Sequence, residues 1–380
     1  MKKNKKLLIL VNDLSFFISH RLMIAQAAFG IGFEVIVCYG ELGGADPKTL
    51  EQQGFKTNHI PMYRGGINIF KEFKTLFYIW KFFKREKPDI AHLVTIKPYL
   101  YGGIISRLVG VPGVITSISG LGTIFINNNI KYRFLRLLLY PIYKLAFNHP
   151  NQKIIIQNND DLKVLVEWGV LNSFKTKLLR GSGVKIENFI NLDEPEGITT
   201  VCFAARFLRD KGIYEFIFAA RLLKKKGIDA RFCLAGDLDA NNPTGLNINE
   251  LNKLKNDNNI EFLGYQKDIA TLYAKSHVIC LPSYREGLPK SLIEAAAASR
   301  AVVTTDVPGC REVIIPNKTG LLVPVKDSQK LADALEWLIE NRQERIAMGK
   351  AGRKFAEKEF PIEKIVKSHL DIYQELLNTN

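Results

Sequence analysis

Tyr284-Arg285-Glu286-Gly287-Leu288-Pro289-Lys290-Ser291-Leu292-Ile293-Glu294-Ala295-Ala296 follows a short apolar run, His277–Pro282. That run reads as a buried parallel strand. Leu292, Ile293 and the alanines after them read as a helix, with Pro289 or Lys290 at its first position, where a missing N–H costs nothing. The loop between strand and helix therefore aims free N–H groups and a positive dipole end beyond the strand, a seat suited to a phosphate. Glu286 and Glu294 bracket that seat. A carboxylate repels a phosphate, so both are better placed to accept hydrogen bonds from sugar hydroxyls. The combination points to a sugar–phosphate site. The alternative is an ordinary surface loop with a helix cap.

The chain has 380 residues, long for one domain and comfortable for two. Apolar residues make up 47%, as in globular proteins, and no apolar run approaches the ~20 residues of a spanning helix. Met1–Val11 imitates a signal peptide, but its apolar run stops at Asn12-Asp13 with no small-residue cleavage site, so it reads as a basic end feeding a first strand. Cys38, Cys202, Cys233, Cys280 and Cys310 show no metal-like spacing and fall mostly in strand-like runs. That pattern fits buried thiols in a reducing cytoplasm. Residues 1–190 carry 26 Lys+Arg against 12 Asp+Glu, a net +14, whereas residues 191–380 carry 27 against 26. A basic half joined to a neutral half predicts an anionic partner on the first half only.

Outward from the opening stretch, strand and helix patterns alternate in both directions. In the first half, strands are expected at Leu7–Val11, Glu34–Tyr39, Lys56–Ile60, Asp89–Val94, Gly113–Ile118, Lys153–Gln157 and Lys177–Leu179. Helices are expected through Ala25–Ala28, over Pro47–Gln53, Phe70–Lys87, Tyr101–Val109, Ile130–Phe147 and Asp160–Trp168. Gly181–Gly197 lacks periodicity and reads as linker. Alternation restarts with strands at Thr200–Ala205, Ala230–Ala235, Ile260–Leu263, Ala301–Thr304 and Leu321–Val323, and ends in long helices over Ser328–Leu377. This is α/β, two Rossmann-like doubly wound domains facing a cleft. The expected division is 1–185, a linker 186–197, a second domain 198–357, and a terminal helix 358–380 with the option of packing back on the first domain.

Arg206 ends the first strand of the second half, and Lys211-Gly212 opens the next helix. Ligands bind at strand C-terminal ends in such sheets, and an arginine fork with a lysine point charge suits a diphosphate. Neighbouring strands would bring these cations to the Glu286–Glu294 loop; alone, they could be a solvated turn. Gly236 and Tyr265 also follow strands, as plain turns or as the lining of a nucleoside pocket. In the first half, His20-Arg21 falls near a helix start, either to meet a phosphate or as a surface pair. The Gly120-Leu121-Gly122 loop offers backbone to a ligand, though a lone Gly-x-Gly is a weak signal. His92, inside a strand, reads as a core histidine. Phe70–Lys87 interleaves Phe70, Phe73, Phe77 and Trp80 with lysines, and Arg133, Arg136, Tyr140, Tyr143 and Lys144 echo it. Such a stretch is either a core stripe with a solvated face or a surface that docks on an anionic bilayer. No nucleic-acid motif accompanies it.

The sequence resembles the GT-B glycosyltransferases of family 4. The second half carries the pattern at Arg206 with Lys211-Gly212, Gly236-Asp237, Phe262–Gly264, Leu281–Ser283, Glu286–Pro289, Glu294-Ala295 and Pro308-Gly309 through Gly320–Val323. The first half resembles the subgroup that extends lipid-linked oligosaccharides, at Phe16-Phe17 to His20-Arg21, Lys97-Pro98 and Ser119–Gly122. The resemblance implies a retaining, metal-independent transferase. In it Arg206 and Lys211 hold the donor diphosphate with N–H groups of Gly287, Leu288 and Ser291 around Pro289. Glu294 would hold the ribose, and Glu286 would face the transferred sugar as the catalytic residue. His20, Arg21, Ser119, Gly120 and Gly122 would face the acceptor. The implied reaction moves an N-acetylhexosamine from a UDP-sugar to a polyprenyl-diphosphate-linked glycan of a surface polysaccharide or glycoprotein, at the inner face of the plasma membrane. It implies a nucleotide sugar as substrate and no cofactor. Alternatives are a soluble acceptor, a nucleotide-sugar epimerase, or a non-catalytic scaffold. Where many relatives place a histidine or acid before the Gly-Leu-Gly region, this chain has Ser117-Ile118-Ser119, which puts more weight on Glu286.

Overall fold

A computed structural model describes residues 4–63, 68–125, 129–190, 193–239 and 242–379. The start of the basic N-terminal end, part of the expected linker and residues 240–241 between the strands expected at Ala230–Ala235 and Ile260–Leu263 lie outside these residues. Two compact units result: Met1–Ser182 with Glu363–Asn380, and Gly183–Ile362.

The first unit contains β1 (Lys6–Asp13), α1 (Leu14–His20), α2 (Leu22–Gly30), β2 (Glu34–Glu41), α3 (Lys48–Glu51), β3 (Lys56–His59) and α4 (Ile69–Glu86). It continues with β4 (Ile90–Val94), α5 (Ile96–Val109), β5 (Gly113–Ile118), α6 (Ile130–Ala146), β6 (Gln152–Ile156), α7 (Asn159–Glu167) and β7 (Thr176–Leu178). Its sheet is parallel in the order β3-β2-β1-β4-β5-β6-β7. Successive residues of a strand face opposite sides. Leu8 and Leu10 of β1 accordingly enter a core with Ile79, Phe83 and Tyr143 from α4 and α6. Leu7, Ile9 and Val11 enter another with Phe17 of α1 and Ile24 of α2. Ile365, Ile372, Tyr373 and Leu376 from the C-terminal end of the chain complete that second core.

The second unit contains β8 (Thr199–Ala204), α8 (Ile213–Lys225), β9 (Ala230–Ala235), α9 (Ile248–Lys255), β10 (Glu261–Gly264), α10 (Ile269–Ala274), β11 (Val278–Leu281) and α11 (Lys290–Ala297). After these come β12 (Ala301–Thr305), β13 (Gly320–Val323), α12 (Ser328–Glu340) and α13 (Arg342–Glu359); α14 (Ile362–Asn378) then returns to the first unit. The sheet order is β10-β9-β8-β11-β12-β13, again parallel. Chain order reverses between β1 and β4 in one sheet and between β8 and β11 in the other. These reversals open crevices at the strand C-terminal ends, where open α/β sheets bind ligands.

Three local expectations need correction. The helix expected through Ala25–Ala28 is preceded by a separate one, Leu14–His20, so His20 closes a helix and does not stand at a helix start; Arg21, with φ −130°, divides the two. The helix expected from Tyr101 starts at Ile96, because Pro98 sits in the first turn, where its missing N–H breaks no bond. The linker is less open than its composition suggests: Ile186–Asn188 form a 3₁₀ turn and Phe189 is buried in the second core.

Candidate functional site

In the second unit, β8 and β11 pair side by side, with Val201 opposite Val278. Their outgoing segments therefore leave the sheet together. After β8, the 3₁₀ turn Arg209–Lys211 ends at Gly212, whose φ is +77°. A Cβ there would lie 2.1 Å from the Pro282 carbonyl oxygen, so glycine lets this turn press against the loop leaving β11. The Tyr284 N–H donates to the Asp210 carbonyl at 2.8 Å and fastens the two segments.

This close approach brings Lys211 Nζ into contact with Glu286 Oε1, and the Ser283 hydroxyl donates to the same oxygen at 2.7 Å. The two charged side chains are 19% and 11% exposed. A second brace holds the backbone of Glu286. Its N–H donates to the Pro308 carbonyl at 3.2 Å, and a Cβ at Gly309 (φ +80°) would lie 2.5 Å from its carbonyl oxygen. Leu288 is buried in the core and anchors the loop from below.

Lys290, not Pro289, is the first residue of α11; Pro289 is its extended cap residue, with no side-chain capping bond. The helix N-terminus and its dipole thus meet the end of the β11 loop, where Pro289 itself supplies no side-chain cap. One turn in, Glu294 lies 3.3 Å from Lys290 Nζ. Burial raises the Glu294 pKa above the usual carboxylate range, and Lys290 partly opposes that shift. Arg206 stands on the open side of the crevice, its guanidinium paired with Asp239. Gly236 follows β9 so closely that a Cβ would fall 1.9 Å from the Ala205 carbonyl, which seats the residue before Arg206. Tyr265 is 74% exposed beside the same sheet edge. Lys211, Glu286, Gly287, Pro289, Ser291 and Glu294 are therefore gathered around one strand-to-helix loop. Cations and helix N–H groups there can hold an anion, while buried carboxylates accept hydrogen bonds from hydroxyls.

In the first unit, the Thr95 hydroxyl donates to the Asn12 side chain at 2.8 Å across the β1–β4 reversal. Thr95 adopts φ +74°, a strained conformation for a β-branched residue, at the start of α5. After β5, Leu121 is fully buried and pins the glycine loop, Gly120 and Gly122 have φ of +130° and +72°, and the Ser119 hydroxyl is buried without a partner among the described residues. His20 ends α1, stacked on Phe16 with ring centroids 4.2 Å apart. Arg21 turns inward, 2% exposed, and donates to the Ser182 hydroxyl and to the His20 carbonyl at 2.9 Å each. Burial lowers its pKa to about 10. It braces the chain before the unit boundary and does not present its guanidinium on a helix surface. His92 is fully buried, 2.7 Å from Ser117 Oγ and 2.8 Å from the Tyr373 hydroxyl, a core histidine.

Sequence reasoning missed Ser283, Asp239, Asn12 and Thr95. Ser283 stands three residues before Glu286 in a turn, a spacing that was readable. Asp239 and Thr95 had no local signal.

The family model described as "Glycosyl transferases group 1" matches residues 184–355, and "Glycosyl transferase 4-like" matches residues 6–159. The chain is 26% identical to the N,N'-diacetylbacillosaminyl-diphospho-undecaprenol alpha-1,3-N-acetylgalactosaminyltransferase of Campylobacter jejuni, covering 79% of this chain and 81% of that one. It is 26% identical to the capsular polysaccharide biosynthesis glycosyltransferase CapM of Staphylococcus aureus, over 88% and 89% of the two chains. The solved structure of sucrose-phosphate synthase from Thermosynechococcus elongatus superposes with a TM-score of 0.79 at 20% identity, over 99% of this chain and 100% of that one, and shows the shared GT-B fold.

Proposed function

Because this chain belongs to the glycosyltransferases with a 4-like first half and a group 1 second half, we propose that it moves an N-acetylhexosamine from a UDP-sugar onto a polyprenyl-diphosphate-linked glycan, with retention. The observation that carries this reading is the Lys211–Glu286–Ser283 contact at the β8–β11 reversal. It puts a cation and a carboxylate side by side, as a sugar joined to a diphosphate requires. The two relatives, one acting on a diphospho-undecaprenol acceptor and one in capsule synthesis by name, supply the acceptor class.

On binding, Arg206 and Lys211 take the donor diphosphate, assisted by N–H groups of Gly287, Leu288 and Ser291 around Pro289. Glu294 accepts from the ribose hydroxyls, with Gly236 and Tyr265 beside the base. The bond between the sugar's anomeric carbon and the diphosphate oxygen breaks on the same face on which the acceptor oxygen attacks. The acceptor proton passes to the departing phosphate oxygen. Lys211 and Arg206 stabilise the charge that grows on that phosphate, and Glu286 the positive charge on the sugar. Ser119, Gly120, Gly122 and His20 are assigned to the acceptor.

A place on an anionic bilayer surface is part of the proposal. Phe70, Phe73 and Ile130 are 82%, 64% and 83% exposed, and Phe77, Phe134, Leu137 and Leu138 also face solvent. Lys71, Lys74, Lys81 and Lys84 run through the same stretch of α4, and the core-stripe alternative accounts for Thr75, Leu76, Ile79, Phe82 and Phe83 but not for the exposed Phe70, Phe73 and Phe77. Aromatic side chains with interleaved cations suit a headgroup interface. Among the described residues no helix is long and apolar enough to cross a membrane.

The test is transfer from a panel of radiolabelled UDP-sugars to a polyprenyl-diphosphate glycan. Turnover should vanish in Glu286→Ala with circular dichroism unchanged. Conversion of the nucleotide sugar without acceptor would establish the epimerase instead, and turnover of soluble acceptors alone would remove the lipid. For the surface, Phe73→Ser with Phe77→Ser should abolish co-flotation with phosphatidylglycerol vesicles at low salt; unchanged flotation removes this face.

A further inference from the structure

Away from the site, α13 and the segment before β13 enclose an open groove of about 550 Å³. Ala347, Ala351 and Phe355 recur at every fourth position and form its floor, with Ile315 on the facing side. Lys350, Lys354 and Lys358 recur with the same spacing and form one rim; Lys318 stands on the other, and Glu359 is the sole carboxylate of the lining. Side chains four apart share a helix face, so α13 carries an apolar row and a cationic row side by side, each over roughly 12 Å, with cations roughly 6 Å apart. Lys318, Lys354 and Lys358 form no ion pair among the described residues, and Lys350 reaches only the exposed Asp193, at 3.9 Å. This concentration stands in a half of the chain that is nearly neutral overall. Self-repulsion among aligned cations opposes folding, so their alignment fits an external anion better than a stability role.

We propose that this groove docks an acidic amphipathic helix of a partner protein. Glutamates or aspartates four apart would meet the lysine row, and the neighbouring apolar row of the partner would lie over the alanines. Small floor residues allow close backbone approach, as helix-in-groove recognition needs. A bilayer fits this recess poorly. It is flat, and the large exposed aromatics that enter headgroups stand on α4 and α6, while the floor here is mostly alanine.

The experiment uses the full chain and a fluorescein-labelled synthetic peptide of roughly four helical turns, with glutamates at every fourth position beside a leucine row. Anisotropy should show saturable binding that weakens at least ~10-fold in Lys354→Glu with Lys358→Glu, and that recovers when the peptide's glutamates are replaced by lysines. Both lysines are exposed, and melting curves of the variant establish that it folds. Equal binding of a scrambled peptide, or no effect of charge reversal, overturns the proposal. So does loss of phosphatidylglycerol vesicle binding in the same variant when the peptide fails to bind, which would assign the lysines to lipid.

Discussion

Removing Glu286 should make the protein bind UDP more tightly while it stops transferring sugar. In the free chain Lys211 is not waiting for a phosphate: it is engaged by Glu286, whose acceptor oxygen also holds the Ser283 hydroxyl. Recruiting Lys211 to a diphosphate therefore means giving up that contact. Fully exposed ion pairs contribute ~0–1 kcal/mol and breaking fully buried ones costs ~3–5 kcal/mol. With 19% and 11% exposure the pair lies between these limits, and a coupling of ~1–2 kcal/mol is expected. A denaturation cycle over Lys211→Ala, Glu286→Ala and the double variant should return that coupling. Titration calorimetry with UDP should show Glu286→Ala binding roughly 5–30-fold tighter, the same free energy read as affinity. Lys211→Ala should bind UDP more weakly. Coupling below ~0.5 kcal/mol, or UDP affinity that is unchanged or weaker in Glu286→Ala, would refute the claim that Glu286 restrains the lysine.

Glu294→Gln should be more stable than the parent at pH 8. Burial raises the pKa of Glu294, so the folded state binds the extra proton first and parent stability rises as pH falls through that raised value. The difference should shrink towards the ordinary carboxylate range near 4.5, while UDP affinity falls ~10-fold or more for want of a charged acceptor; a variant of equal stability at pH 8 contradicts the burial cost. Gly236→Ala forces a Cβ to within 1.9 Å of the Ala205 oxygen, and should cost ~1–3 kcal/mol and weaken UDP binding by displacing Arg206. A melting temperature and affinity equal to the parent's would show that this turn relaxes freely. Burial, then the Arg21 charge, holds His369 near pKa 3, and burial also pushes His92 well down. Both stay neutral when folded, so stability present above pH 6.5 is lost as pH falls towards 3, by about 1.4 kcal/mol per pH unit per histidine once the unfolded state is protonated. Urea midpoints measured from pH 7 to 5 check this, and His369→Gln should flatten the slope.

What is legible in the sequence is whatever depends on neighbours along the chain. The loop after His277–Pro282 carries its helix, its cap proline and both glutamates within one continuous stretch, so the anion seat is readable from those residues alone. Alternation of apolar runs with helical spacing likewise reveals two parallel sheets, because strands covered on both faces are apolar throughout. Contacts closed by distant segments are not legible. Lys211 and Glu286 are separated by three strands in sequence, and only the reversal of strand order between β8 and β11 makes them partners. Asp239 neutralises Arg206 from a loop that shows no pattern. These long-range contacts change the chemistry expected of the site. Cations and carboxylates recognised separately suggest a cradle ready for a diphosphate and a sugar. The folded chain instead holds these charges against one another, so the proposed donor binding would be an exchange of partners. On the proposed reading, a diphosphate would relieve Glu286 of Lys211 as it binds and leave that carboxylate available to the sugar only when the phosphate is present. An empty site keeps Glu286 engaged with Lys211, and under this proposal the carboxylate assigned to the sugar would be released by the substrate that needs it.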